Sequence, residues 1–148
     1  MKLTDWLQDL RDAMRSYHIA LRASGRYGRS IRLRKQGKLR EALHVAREGL
    51  AMLRDPVVRR RQGPEGSGVV CLTIQVEWLA GQLGEQGAAA ADLADSIAFM
   101  KAISGTVTGE TADMNSAWLP SLEARLAQLG PERNRGAAEQ GVEADEAR

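Results

Sequence analysis

Apolar residues at the start of the chain recur at Leu3, Leu7, Leu10, Met14, Tyr17 and Leu21, with spacings of four and three in alternation. That rhythm is a heptad seam, a stripe that buries itself only against another helix running along its length. Trp6 and Ala13 widen it. Thr4 is a good N-cap, and Asp5 complements the positive end of the helix dipole. The pattern predicts a first helix from about Thr4 to Ala23, broken at Ser24-Gly25.

Further periodic segments follow. Tyr27, Ser30, Ile31 and Leu33 predict a short helix over about 26–36, ended by Gly37. Leu39, Leu43, Ala46, Leu50 and Leu53 predict a helix over about 38–53. Asp55-Pro56 stops it, since the residue before proline is pushed out of the α region. Residues 57–68 hold three arginines in a row and then several glycines and a proline, and read as a flexible connector. Val69, Leu72, Val76, Leu79 and Leu83 predict a helix over about 69–84, with a short strand at 69–74 as the alternative. Ala90, Leu93, Ile97 and Met100 predict another over about 88–104. Residues 105–115 read as loop. Trp118, Leu122, Leu126 and Leu129 place a last helix at about 116–129, with Pro120 in its first turn.

The stretch around Gly37 has a particular arrangement of small and large residues. Ser30 and Leu33 precede the turn glycine, Leu39 follows it, and Ala42, Ala46 and Gly49 recur at the helix contact before Asp55-Pro56. This resembles one unit of the tetratricopeptide repeat family over about residues 22–56. A weaker match spans about 73–104, where Ala80, Leu83 and Gly87 fit but Asp92, Ser96 and Phe99 occupy the small positions. The resemblance implies antiparallel helical hairpins stacked by small-residue contacts. It also implies a protein-binding inner face, here carrying Tyr27, Arg34 and Lys35. The expectation is an all-α fold, either tetratricopeptide-like hairpins or an irregular bundle of five to six helices. Residues 1–129 would form one helical domain, and residues 130–148, nearly free of large apolar groups, a disordered acidic tail.

Composition changes this picture in one respect. The net charge is +2, but 16 of the 21 basic residues and only 6 of the 19 acidic ones lie at or before Arg61. Arg15, Arg22 and Arg29 repeat at seven-residue spacing, as do Arg40, Arg47 and Arg54, so each set lines one helix face. Arg59, Arg60 and Arg61 follow. Guanidinium forks suit carboxylates and phosphates. The expected function is therefore a non-enzymatic adaptor or scaffold that binds an acidic protein segment through Tyr27, Arg29, Arg34, Lys35, Arg40, Arg47, Arg54, Arg59, Arg60 and Arg61. A self-associating helical protein pairing through its first helix is the alternative, and nucleic-acid binding ranks lower. The acidic second half could instead fold against the basic first half.

Catalytic chemistry finds little footing. The two histidines, His18 and His44, lack a convincing acid–base partner beyond Glu41 and Glu48 on the helix surface around His44. Cys71 is the only cysteine, so no internal disulfide forms, and it reads as a packing residue. The glycine-rich Gly63–Gly68 segment has neither the following Lys-Ser/Thr nor the preceding strand of a phosphate loop. No cofactor or metal is expected. With no apolar run of membrane-spanning length, a cytoplasmic protein is expected.

Overall fold

The computed structural model describes residues 2–61, 64–105 and 109–146, with the side chains of 64–67, 111 and 130–146 left out of the description. Its first helix, α1 (Leu3–Lys35), runs straight through Ser24-Gly25. The expected break is absent because a helical glycine costs only about 1 kcal/mol, and neither Gly25 nor Gly28 takes a left-handed conformation. Burial of Ala23, Ser30 and Leu33 against the body outweighs that cost. The helix also starts before Thr4: the Asp5 carboxylate accepts the Lys2 backbone N–H at 3.3 Å. At 33 residues and 1.5 Å rise, α1 is roughly 50 Å long.

Gly37 ends the helix as the sequence predicts. With φ +76°, it lets Lys38 N–H reach Leu33 O and its own N–H reach Arg34 O, both at 3.0 Å, a Schellman closure. The chain turns back into α2 (Leu39–Met52), whose buried face is Ala42, Leu43, Val45, Ala46, Gly49 and Leu50. Small residues make the approach close: a Cβ on Gly49 would stand 3.0 Å from Arg26 Cβ and 3.2 Å from the Leu72 methyls.

The expected connector at 57–68 is largely helical. Pro56–Arg61 forms α3, and α4 (Pro64–Leu83) begins three residues later. Gln62 and Gly63 lie outside the described residues. Asp55 starts α3 by accepting Val57 N–H at 2.9 Å, and Pro56 supplies a fixed φ where no N–H is needed. Val57 and Val58 are then buried, which repays ordering the segment. Further on, α4 is the central helix: Val69, Val70, Leu72, Thr73, Gln75, Val76, Leu79 and Ala80 are all buried. Burial over most of its circumference explains why Val69–Ile74 carries a strand-like apolar run yet is helical.

In the second hairpin, Gly84 rather than Gly87 is the left-handed residue, at φ +68°. Its neighbour Glu85 donates its N–H to Ala80 O at 2.8 Å, and α5 (Gln86–Ile103) already contains Gly87. The last helix, α6 (Gly109–Glu146), begins seven residues before the expected start, so residues 109–115 are not loop and Pro120 sits inside the helix. Pro120 leaves the Ser116 carbonyl without its helical donor, a small cost because Ser116 is exposed. The disordered tail expected at 130–148 falls on residues outside the described side chains.

Helices α1, α2, α4, α5 and α6 pack in chain order. One apolar cluster joins α1, α2, α3 and α4, with Ala89, Phe99 and Ile103 from α5. A second joins α4 and α5 to α6 through Val70, Leu93, Met100, Leu122 and Leu129. Among the described residues the fold is all-α, with six helices and no strand.

Candidate interaction surfaces

The seam of α1 has no partner among the described residues. Leu3 is 72% exposed and Tyr17 68%, and Trp6, Leu7, Leu10, Met14 and Leu21 are exposed as well. Helix geometry explains this. Ser16, Ala23 and Ser30, seven apart, turn inward and are buried. At about 100° per residue, the seam lies roughly 100–180° around the helix from that line. One helix thus has two apolar faces. The rear one packs on α2–α4, and the front one, over Leu3–Leu21, faces solvent. Ion pairs hold the N-terminal half against α3: Arg61–Asp9 at 2.8 Å, Arg60–Asp12 at 3.7 Å and Arg15–Asp55 at 2.9 Å.

The arginine stripe of α2 faces the acids of α5. Arg40 meets Glu85 at 2.6 Å and Arg47 meets Asp92 at 2.9 Å. Arg54 forks onto Asp92 at 2.6 Å and Asp95 at 3.0 Å, and Arg59 joins Asp95 at 2.8 Å. Burial works against the charge on Arg54, but Asp92 and Asp95 more than offset it and hold its pKa above the usual value. Arg40–Glu85 and Arg47–Asp92 share an offset of 45 residues, so α2 and α5 run parallel with two seven-residue series of opposite sign side by side. Among the described residues, the acids of the second half that meet the basic first half are Glu85, at the start of α5, and Asp92 and Asp95 within it.

The remaining residues singled out from sequence are dispersed. Arg34 donates to Gln75 Oε1 at 2.8 Å and stacks on the Trp78 ring, 4.9 Å from its centroid. Gln75 in turn donates to Ser30 Oγ at 3.0 Å, and Ser30 donates to Ala42 O at 2.8 Å. Arg34 therefore closes a polar chain linking α1, α2 and α4. Tyr27 is half-buried against the core, and Arg59 also stacks on Phe99 at 4.3 Å. Arg29 and Lys35 remain exposed. Of the ten residues, Tyr27, Arg29 and Lys35 form no side-chain ion pair or hydrogen bond among the described residues. The acids that answer the arginines, Glu85, Asp92 and Asp95, were missed as partners. Their own seven-residue step from Glu85 to Asp92 was the available signal.

Local electrostatics separates two carboxylates. Asp55 is held below its ordinary pKa, first by the backbone N–H of Val57 and then by Arg15, despite some burial. Glu77 is raised, chiefly by burial, with Arg125 opposing. Burial also raises the Cys71 thiol, with Glu110 adding to the effect, so it is a poor nucleophile. His44 is an exposed surface residue 3.2 Å from Glu48. Among the described residues no group of three His, Cys, Asp or Glu is placed to hold a metal ion, and no helix is long and apolar enough to cross a membrane.

Asp55 gives a pH prediction. Its folded pKa is depressed, so its stabilisation is present above the ordinary carboxylate value and is lost as pH falls through the folded one. Replacing it by alanine removes the cap of α3 and is expected to cost about 1 kcal/mol at pH 7. The difference in urea midpoint between wild type and Asp55→Ala should close as pH falls below about 4. A gap constant from pH 7 to pH 3 would show that the charge is not what stabilises.

No family model, curated protein or solved structure matches this chain.

Proposed function

We propose that the protein is a non-catalytic helical scaffold that pairs with a second copy of itself through the front seam of α1, with α2–α6 as the head carried on that helix. The observation that carries this reading is the continuous, solvent-facing heptad stripe from Leu3 to Leu21. Exposing so much apolar surface is unfavourable, and contiguous patches of this kind mark interaction sites. Pairing two such stripes would cover seven exposed large hydrophobic side chains on each chain.

Charge on the flanks favours a parallel pair. With Leu7, Met14 and Leu21 at heptad position a and Leu3, Leu10 and Tyr17 at d, Arg11 and His18 fall at e, while Trp6, Ala13 and Ala20 fall at g. Parallel helices set e against g of the other chain. Arg11 then meets the indole face of Trp6, and small alanines allow close approach. Antiparallel helices would set the basic e flanks against each other. The hairpin of α1 and α2, closed over Ser30, Ala42, Ala46 and Gly49, is proposed as tetratricopeptide-like in its packing. An acidic partner at the α2 stripe would have to displace Glu85, Asp92 and Asp95, so the seam is the better-supported surface.

Sedimentation equilibrium is the test. Wild type is expected to be dimeric at tens of micromolar. Leu7→Asp/Met14→Asp should be monomeric with unchanged helicity, because both positions are exposed within one chain. In a Cys71→Ala background, Leu7→Cys should cross-link rapidly between chains, as a parallel register requires. A wild type monomeric at 200 μM, or a double variant that stays dimeric, would overturn the proposal; slow cross-linking would overturn the parallel arrangement.

A further inference from the structure

Away from the seam, α4 and α6 form a notch of about 260 Å³. Its rims are Trp78 and Trp118, which expose 44% and 43% of their surface. Ile74 and Leu122 supply apolar wall, and Glu77, Ser121 and Arg125 complete the lining. The side chain of Glu77 is only 10% exposed. One of its oxygens, Oε2, accepts Arg125 Nε at 3.2 Å, and the other, Oε1, is buried with no hydrogen-bond partner among the described residues. A buried acceptor left unpaired is among the costlier features a fold can retain. Glu77 lines the notch together with the two half-open indoles.

We propose that this notch binds one flat aromatic group bearing a single N–H or O–H donor, an indole- or phenol-type ring, held between Trp78 and Trp118 with its donor on Glu77 Oε1. Size, walls and charge select this chemistry. The volume is below the usual range for drug-sized ligands and suits one ring system. The walls are aromatic and aliphatic, so the body of the guest is apolar, and ring–ring contact adds to area burial. The unpaired group is an acceptor, so the guest must donate.

An anionic guest is disfavoured: it would face the Glu77 carboxylate, and Arg125 is already engaged by Glu77 and by Gln128 at 3.3 Å. A cationic guest is disfavoured too. Arg125 balances Glu77, and Arg34 already stacks on Trp78, so a further cation meets net positive charge. A neutral donor remains. Neither tryptophan belongs to the α1 seam, so this site stands or falls independently of self-pairing.

The probe is indole, with 1-methylindole as a control of nearly the same shape that lacks the N–H. The readout is the indole N–H resonances of Trp78 and Trp118, with Trp6 on α1 as an internal reference. Indole should shift both resonances with a Kd of about 0.1–1 mM, as expected for a ligand of this size. Trp6 should not move, and 1-methylindole should bind about tenfold more weakly because Oε1 stays unpaired. In Glu77→Gln, Arg125 should hold the amide oxygen and turn the NH₂ into the place of Oε1, so indole should lose its advantage over 1-methylindole. Circular dichroism checks that this variant is folded. N-acetyl-tryptophanamide separates the two sources of the ring: tighter binding than indole assigns the notch to a peptide side chain, and weaker binding to a free small molecule. Equal shifts from indole and 1-methylindole, or no shift of Trp78 and Trp118 at 5 mM indole, would overturn the proposal.

Discussion

Valine in place of Gly49 is expected to destabilise the fold by about 3 kcal/mol, read as the shift in urea midpoint followed by helical circular dichroism. Three helices meet at this glycine. Even one Cβ there would lie 3.0 Å from Arg26 Cβ on α1 and 3.2 Å from both methyls of Leu72 on α4. Alanine would recover about 1 kcal/mol of helix propensity, which partly offsets that crowding. Valine adds two further methyls and a stiff χ1, and overpacking of this kind costs about 1–3 kcal/mol or more. The backbone-near Arg26 Cβ cannot withdraw, whereas the Leu72 methyls can be removed. Leu72→Ala alone should cost about 3 kcal/mol as a cavity mutation, since Leu72 is 1% exposed. Combined with Gly49→Val it should cost at least 1 kcal/mol less than the sum, because the valine fills part of the cavity. Strict additivity would mean that the two residues do not share this contact.

Asp92→Lys is expected to cost about 2 kcal/mol at low salt. Asp92 joins Arg47 and Arg54, and Asp95 continues the cluster to Arg59. A lone surface pair contributes only about 0–1 kcal/mol. Charge reversal removes two attractions and adds repulsion, chiefly from the Arg54 guanidinium, which Asp95 still holds in place. The arginines are partly exposed, so the penalty should shrink by about half in 0.5 M NaCl, and adding Arg47→Glu should restore part of it. A loss unchanged by salt would indicate that Asp92 acts by packing. The same experiment asks whether the arginine stripe is an internal clasp or a surface reserved for a partner.

The sequence carried the local part of this architecture well. Gly37 was legible as a helix end because a left-handed residue there leaves few alternatives to glycine. The core of α2 was legible from its 3.6-residue stripe. The α1 seam was legible too, as a face that needs a helix. Other features depended on remote contacts. Ser24-Gly25 carries the composition of a break, and only the rear face of α1 packing on the body makes the helix continue. The glycine-rich run before Val69 reads as a connector, and only burial of Val57, Val58 and Val69 makes its flanks helical. Glu77, Trp78, Trp118 and Arg125 lie too far apart along the chain to announce a shared notch.

The sequence by itself therefore determined the helical class, the turn at Gly37, the inward face of α2 and the existence of an apolar seam on α1. Those follow from periodicity and backbone preference, which act within a few residues. Only the tertiary structure decided that the seam points away from the body and that the α2 arginines meet the α5 acids. It alone brought Glu77 into one notch with two tryptophans. These depend on how α1, α4 and α6 are rotated about their axes, and that rotation is set by small-residue contacts such as Gly49 against Arg26 and Leu72.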